Sequence, residues 1–302
     1  MSLPGAGVDF LLRKRQFQNV LRAIFLPRQY KAAVQAVRCC RNPVEFIWRY
    51  ATGRGSYPAS IGLRTPVGPI SITVYSWHDV RTIHEIFLAL DYQVDVSDCV
   101  IADFGANIGV SAAYFLSRNK HSFAYLFEPA PRNALRLRQN LEQFSNRYLL
   151  QEAAVGVHNG KVRFGIEETG RYGGIEVPTG KYIEVQCRDS NEVLQEIVDE
   201  RQRIDVLKVD VEGAEKAIVT RLTPELAAII PKLFVEFRFF DANPLAVTHS
   251  MTTRGTVVRF EHSRSMAPDG EKGTTPTRQA PPEAAVAPSQ PPGRKDRSAS
   301  LL

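Results

Sequence analysis

Carboxylates recur along this chain at the ends of short apolar runs, and a turn with two glycines follows the first of them. Cys99-Val100-Ile101-Ala102 leads into Asp103 and Phe104, then Gly105-Ala106-Asn107-Ile108-Gly109, then a helical run from Val110 to Leu116. Phe123 to Phe127 ends at Glu128, the run from Arg147 to Val155 carries Glu152, and Ile204 to Val209 ends at Asp210 and Glu212. An open α/β sheet presents ligand groups at the carboxyl ends of its strands, so these acids are candidate site residues. Glu128 stands about 20 residues beyond the turn, where one carboxylate accepts from both hydroxyls of a ribose. Glu152 suits the amino group of an adenine. Asp210 is the first candidate for a base that takes a proton from a hydroxyl; Glu212 is second and Glu236, at the end of the next apolar run, third. Glycine lets the turn's backbone come close to a ligand. Free N–H groups at the helix start favour an anionic or strongly polar group. These features together point to a nucleotide-like ligand over the turn.

The dinucleotide fingerprint needs Gly-x-Gly-x-x-Gly. Here the middle glycine is absent and the last falls one residue early, which leaves less backbone for a pyrophosphate. The form Asp103-x-Gly105-x-Asn107-x-Gly109 instead resembles motif I of S-adenosylmethionine-dependent methyltransferases, whose cofactor carries no phosphate. That resemblance assigns Asp103, Gly105, Asn107 and Gly109 to cofactor binding. The plain alternative is an ordinary strand-to-helix turn, since Gly and Asn mark many turns. Asp210, Glu212 and Glu215 likewise suit a polar helix start. No His, Cys or Asp spacing calls for a metal.

The elements that hold these residues follow from periodicity. Residues 8 to 50 read as helical, with Phe10, Leu11, Phe17, Val20, Leu21, Ile24 and Phe25 near helical spacing and Pro27 and Pro43 as breaks. Ile61 to Thr65 and Gly68 to Val74 form a hairpin about Pro66 to Pro69. Val80 to Leu90 is a helix with Asp79 as N-cap, and His78 beside it is read as structural or as a base. Pro131 opens a helix carrying Leu135, Leu141 and Phe144. Lys161 to Ile166 and Tyr182 to Cys187 read as an inserted hairpin around the Gly-rich stretch Gly170 to Gly180. Ser190 to Val198 is a further helix, and Lys232 to Phe237 a fifth strand.

Composition narrows the class. In 302 residues, 44% hydrophobic and 23% charged, there is material for one large α/β domain with extensions or for two small domains. The net charge of +6 is concentrated near the N-terminus, in Arg13, Lys14, Arg15, Arg22, Arg28, Lys31, Arg38 and Arg41. A solvated helix face, an anionic acceptor or peripheral contact with a membrane surface would each use that charge. No nucleic-acid-binding signature accompanies it, so nucleic acid is not expected. Cys39, Cys40, Cys99 and Cys187 have neither metal nor disulfide spacing, and Cys99 is expected in the core. With no leader pattern and no membrane-length apolar run, a cytoplasmic protein is expected.

Four blocks in order are similar to the FkbM family of methyltransferases. They are Ala102 to Gly109, Phe127-Glu128-Pro129, Ala153-Ala154-Val155-Gly156, and Leu207-Lys208-Val209-Asp210-Val211-Glu212-Gly213-Ala214-Glu215. The block from Trp77-His78-Asp79 to Tyr92 also resembles that family's approach to its first strand. The resemblance spans about residues 60 to 240. It implies a class I methyltransferase fold, a Rossmann-like, doubly wound, mostly parallel sheet, here with an N-terminal helical and hairpin extension. It also implies S-adenosylmethionine as cofactor, Ala154 near it, and O-methylation of a sugar, glycan or polyketide-like acceptor. The expected organisation is a helical extension at 1–60, the methyltransferase domain at 61–250, and a low-complexity tail at 251–302 with the composition of disorder. Family members carry two more strands after the fifth, and here only Val257 to Phe260 looks like one. Two rivals stay open, an NAD-dependent sugar oxidoreductase or epimerase and a cofactor-binding homologue without turnover.

Overall fold

The computed structural model describes residues 27–166, 173–175, 180–236 and 240–263. The apolar positions at 10–25, most of the Gly-rich stretch and the chain after 263 lie outside them. Two helices open the described chain, α1 (Pro27–Cys39) and α2 (Pro43–Thr52). Asn42 caps α2, accepting from the Glu45 backbone N at 3.2 Å, with Pro43 in the first turn where its missing N–H costs nothing. The predicted hairpin forms as β1 (Ala59–Thr65) and β2 (Gly68–Val74), in register from Ala59 opposite Val74 to Thr65 opposite Gly68. Helix α3 (Trp77–Ile83) follows and widens into a π-helical turn, His84–Leu88. Asp79 is not its N-cap. It lies inside the first turn, and its carboxylate accepts from the backbone N of Tyr75 and Ser76 at 2.6 and 3.0 Å.

The central sheet is built from β3 (Val100–Phe104), β4 (Phe123–Phe127), β5 (Tyr148–Gln151), β10 (Val206–Val209), β11 (Lys232–Val235), β12 (His249–Arg254) and β13 (Val257–His262). Their spatial order is β12-β13-β11-β10-β3-β4-β5. The five strands from β11 to β5 are parallel, and β13 runs antiparallel to both β11 and β12. Winding reverses between β3 and β10, and in such sheets the crevice beyond the strand ends at that point takes the ligand.

Alternate residues of each strand serve opposite faces, as the two-residue period requires. Ile101, Ala124, Leu126, Val206 and Phe234 pack with α3, the π-turn and helix α4 (Val110–Leu116). Val100, Ala102, Phe104, Leu207 and Val209 pack on the other face. There they meet α6 (Ser190–Arg201), α7 (Glu215–Arg221) and α8 (Pro224–Ile229). Helix α5 (Pro131–Asn140) starts at the predicted proline. The sheet therefore shows the doubly wound, mostly parallel α/β architecture expected.

Three local readings change. The run from Arg147 to Val155 is two strands, because β6 (Ala154–Gly156) leaves the central sheet and pairs with β9 (Tyr182–Asp189). With β7 (Gly160–Ile166) and β8 (Gly173–Ile175) these make a second sheet, ordered β6-β9-β7-β8. The antiparallel edge of the main sheet is present: β12 and β13 supply it, so the sheet continues past residue 250, where the tail was expected to begin. Cys99 lies just outside β3 and is half-buried, with Asn119 Nδ2 3.3 Å from its sulfur.

Candidate active site

The glycine turn is built by contacts on both sides. Gly105 has φ +84°, and a Cβ there would lie 1.8 Å from the Asp210 carbonyl oxygen. Only glycine lets the ends of β3 and β10 meet this closely. Gly105→Ala is expected to lose at least about 2 kcal/mol of stability, combining left-handed strain with a backbone clash, as read by chemical denaturation. Gly109, φ +86°, faces Leu137 of α5 and Leu141 just after it and serves packing; it lines neither of the two cavities over the strand ends. Asn140 fastens the hairpin to the turn, donating to Ile108 O at 2.9 Å while the Thr73 backbone N donates to it at 2.8 Å.

The turn's N–H groups are mostly engaged, contrary to the expectation that they wait for an anion. Gly105 N and Ala106 N donate to Phe127 O at 3.0 and 2.9 Å, and Gly109 N to Ala106 O at 2.8 Å. Asn107 N donates to Glu128 Oε2 at 2.9 Å, and Ala130 N to the other oxygen at 2.9 Å. Glu128 is buried, and burial, against these hydrogen bonds and the Lys208 charge, pushes its pKa up to about 7.

Two cavities meet over the strand ends. A narrow slot runs past Glu128, with an apolar wall of Phe127, Val155, Phe164, Ile166 and Ile175. Ala154 lines it as well. Beside it opens a polar cavity of about 460 Å³, bordered by His78, Glu85, Tyr92, Lys208, Glu236 and Thr256. Gly105, Asn107, Asp210 and Glu212 belong to both, so the shared rim lies between the slot and the larger chamber.

Lys208 is the residue that sequence reasoning passed over. Its side chain is buried, with Nζ 2.9 Å from Gly105 O, 3.0 Å from Asp103 Oδ1 and 3.2 Å from Asp210 Oδ2. Burial alone would lower its pKa, but the charges of Asp103 and Asp210 outweigh it and hold the lysine above its ordinary value. A lysine inside the otherwise apolar, fully buried strand Val206–Val209 was the signal, because a buried charge demands partners. Asp103 is fully buried, accepts from Ser111 Oγ at 2.6 Å, and lines neither of these two cavities, so its carboxylate faces Lys208 and Ser111 in place of the expected ligand. Glu152 also lies off the slot, paired at the surface with Arg138 at 2.7 Å.

Asp210 does not start a helix, since α7 begins at Glu215. The intervening loop is clamped by Glu215, which is buried and accepts from the backbone N of Val211 and Gly213 at 3.1 and 2.8 Å. Glu212 takes φ +57° within that loop, which turns it onto the rim. Glu236 opens onto the chamber, where Thr256 Oγ1 and Tyr92 Oη donate to it at 3.2 and 3.3 Å. The charge of Asp210, then burial, then Glu85 push its pKa up to about 8. This environment favours the neutral, proton-donating form of Glu236, while Lys208 Nζ lies 3.2 Å from Asp210. Among the described residues no group of three or more His, Cys, Asp or Glu is placed to hold a metal ion.

The sequence profile of the methyltransferase FkbM domain matches residues 103–255, just over half of the chain. No curated protein matches the chain in sequence. Among solved structures, an rRNA methylase from Streptococcus thermophilus shares 11% identity, covering 57% of this chain and 91% of its own, at a TM-score of 0.31. M. capricolum TrmK, solved with S-adenosyl-homocysteine, shares 10%, covering 57% and 66%, at 0.33. A methyltransferase from Geobacter sulfurreducens shares 12%, covering 54% and 70%, at 0.32.

Proposed function

Since the chain belongs to the FkbM methyltransferase family and is an S-adenosylmethionine-dependent methyltransferase, we propose that it methylates a hydroxyl of a sugar, glycan or polyketide-like acceptor. The carrying observation is the rim shared by slot and chamber, with Asp210 and Glu212 on it. The slot fits the cofactor's nucleoside: Glu128 stands ready for ribose hydroxyls, and Phe164, Ile166 and Ile175 offer an apolar face to adenine. With the N–H groups of Gly105, Ala106, Asn107 and Gly109 engaged, little remains for a pyrophosphate, which disfavours the NAD reading. When bound, the cofactor supplies a methyl group made electrophilic by its sulfonium.

The chain's own residues then have distinct work. The rim holds an acceptor oxygen in the larger chamber against the slot, which supplies proximity. An alcohol needs a base, and Asp210 accepts its proton, with Glu212 beside it. Neutral Glu236, held in place by the hydroxyls of Thr256 and Tyr92, orients the acceptor by donating to another of its oxygens. The test is transfer of labelled methyl from S-adenosylmethionine to polyhydroxylated acceptors. Product methylated on oxygen supports the reading, and transfer confined to nitrogen or carbon acceptors overturns it.

Glu128 makes binding pH-dependent. Ribose hydroxyls donate to the carboxylate, so the ionised form binds. With the free protein's pKa at about 7, affinity for S-adenosylhomocysteine should fall as pH drops through 7, by up to about tenfold per unit. It should level off above that. Linkage on the fold has the opposite sense: a carboxyl raised on folding favours the fold at low pH and costs stability as pH rises through 7. Titrations at several pH values check this, and Glu128→Gln should flatten the profile.

A further inference from the structure

The outward faces of α1 and α2 form a surface that the methyl-transfer site does not use. Tyr30, Val34 and Val37 follow one another at helical spacing on α1, and Val44, Ile47 and Trp48 do so on α2; all six are between 43% and 76% exposed. The opposite faces carry the packing, through Ala32, Ala36 and Phe46, which are buried. These outward side chains account for most of the large exposed hydrophobics among the described residues. Scattered exposed apolar residues need no explanation, but two adjoining helices that both turn an apolar face outward do.

Charge identifies the occupant. From Pro27 to His78 the sequence has seven basic residues, Arg28, Lys31, Arg38, Arg41, Arg49, Arg54 and Arg64, against one acid, Glu45. Glu45 is itself paired with Arg49 at 2.9 Å. Lys31, Arg38 and Arg41 are exposed beside the apolar faces. Aliphatic and aromatic side chains flanked by unopposed lysine and arginine match the boundary of a bilayer rich in anionic headgroups. Tyr and Trp in particular favour that boundary, where one end of the ring is apolar and the other wet. Among the described residues no helix is long and apolar enough to cross a membrane, so the contact is with the surface.

We infer that α1 and α2 dock this enzyme onto an anionic lipid surface. The pair is fastened to the element that walls the larger chamber. Trp77 Nε1 donates to Tyr50 O at 3.0 Å, and the Tyr50 ring stacks on His84 at 4.1 Å. His78, Arg81 and Glu85 of that same element line the chamber. Docking therefore bears, through these contacts, on one wall of the acceptor chamber.

The experiment uses the full chain with vesicles of phosphatidylcholine, with and without phosphatidylserine, read by co-sedimentation. Trp48 and Trp77 are the chain's two tryptophans, so a Trp77→Phe background reports Trp48 alone by fluorescence. The inference expects binding only with phosphatidylserine, weakened by salt, and a blue shift of Trp48 emission. Val37→Glu with Trp48→Glu should lower vesicle affinity by on the order of tenfold or more at unchanged melting temperature, because both positions are exposed. Unchanged binding in that variant overturns the inference, as does binding that ignores phosphatidylserine. Absence of vesicle binding also overturns it. If that absence comes with self-association that the variant abolishes, the face belongs to a second copy of the chain.

Discussion

Lys208→Met is expected to lower the stability of the fold by about 3–5 kcal/mol, the range for removing one partner of a buried ion pair. The reason is Asp103. It is fully buried, and without Lys208 its carboxylate keeps Ser111 Oγ but loses the ammonium 3.0 Å away. Methionine fills much the same volume, so the loss reports charge and not a cavity. Asp103→Asn combined with Lys208→Met should recover part of the loss, since an amide is far less costly to bury alone. Urea denaturation of the three variants measures this. A small loss in the single variant, or a double variant no better than the single, would show that the pair is not what holds β3 and β10 together at the site.

Asp210→Asn is expected to keep cofactor affinity and to lower the methyl-transfer rate by about 10²–10⁴, the usual contribution of a general base. Asparagine preserves the shape and the backbone contact with Gly105, so the slot survives. What it removes is the proton acceptor on the rim. It also removes the charge that raises Glu236, whose pKa should then fall from about 8 toward the ordinary carboxylate range. The pH–rate profile of the variant should shift accordingly. A rate near wild type with normal stability would pass the role of base to Glu212 or Glu236.

Much of the fold was legible because apolar runs and turn residues announce buried strands. Val100–Phe104, Phe123–Phe127 and Val206–Val209 all sit inside predicted runs; the second and third stop just before Glu128 and Asp210, and the first carries Asp103 as its last residue but one. Strand His249–Arg254 was not legible: it is an edge strand with one fully buried residue, so its sequence carries no strong period. The division of Arg147–Val155 between two sheets depends on Cys187–Asp189, more than thirty residues onward, and long-range pairing leaves no local mark. At the site, residue type and position placed Glu128, Asp210 and Glu212 on the cavities, whereas Asp103 and Glu152 turned out to be engaged elsewhere. The slot's wall comes from Phe164, Ile166 and Ile175 of the inserted sheet, which the sequence presented only as a hairpin.

The most direct measurement is calorimetric titration of the wild-type chain and of Glu128→Ala with S-adenosylhomocysteine and with NAD. The account predicts saturable binding of S-adenosylhomocysteine and none of NAD. It also predicts a loss of roughly 1.5–3 kcal/mol of binding free energy in Glu128→Ala, the range for hydrogen bonds to a charged group. Saturable NAD binding without a response to S-adenosylhomocysteine, or an affinity unchanged in Glu128→Ala, would contradict it.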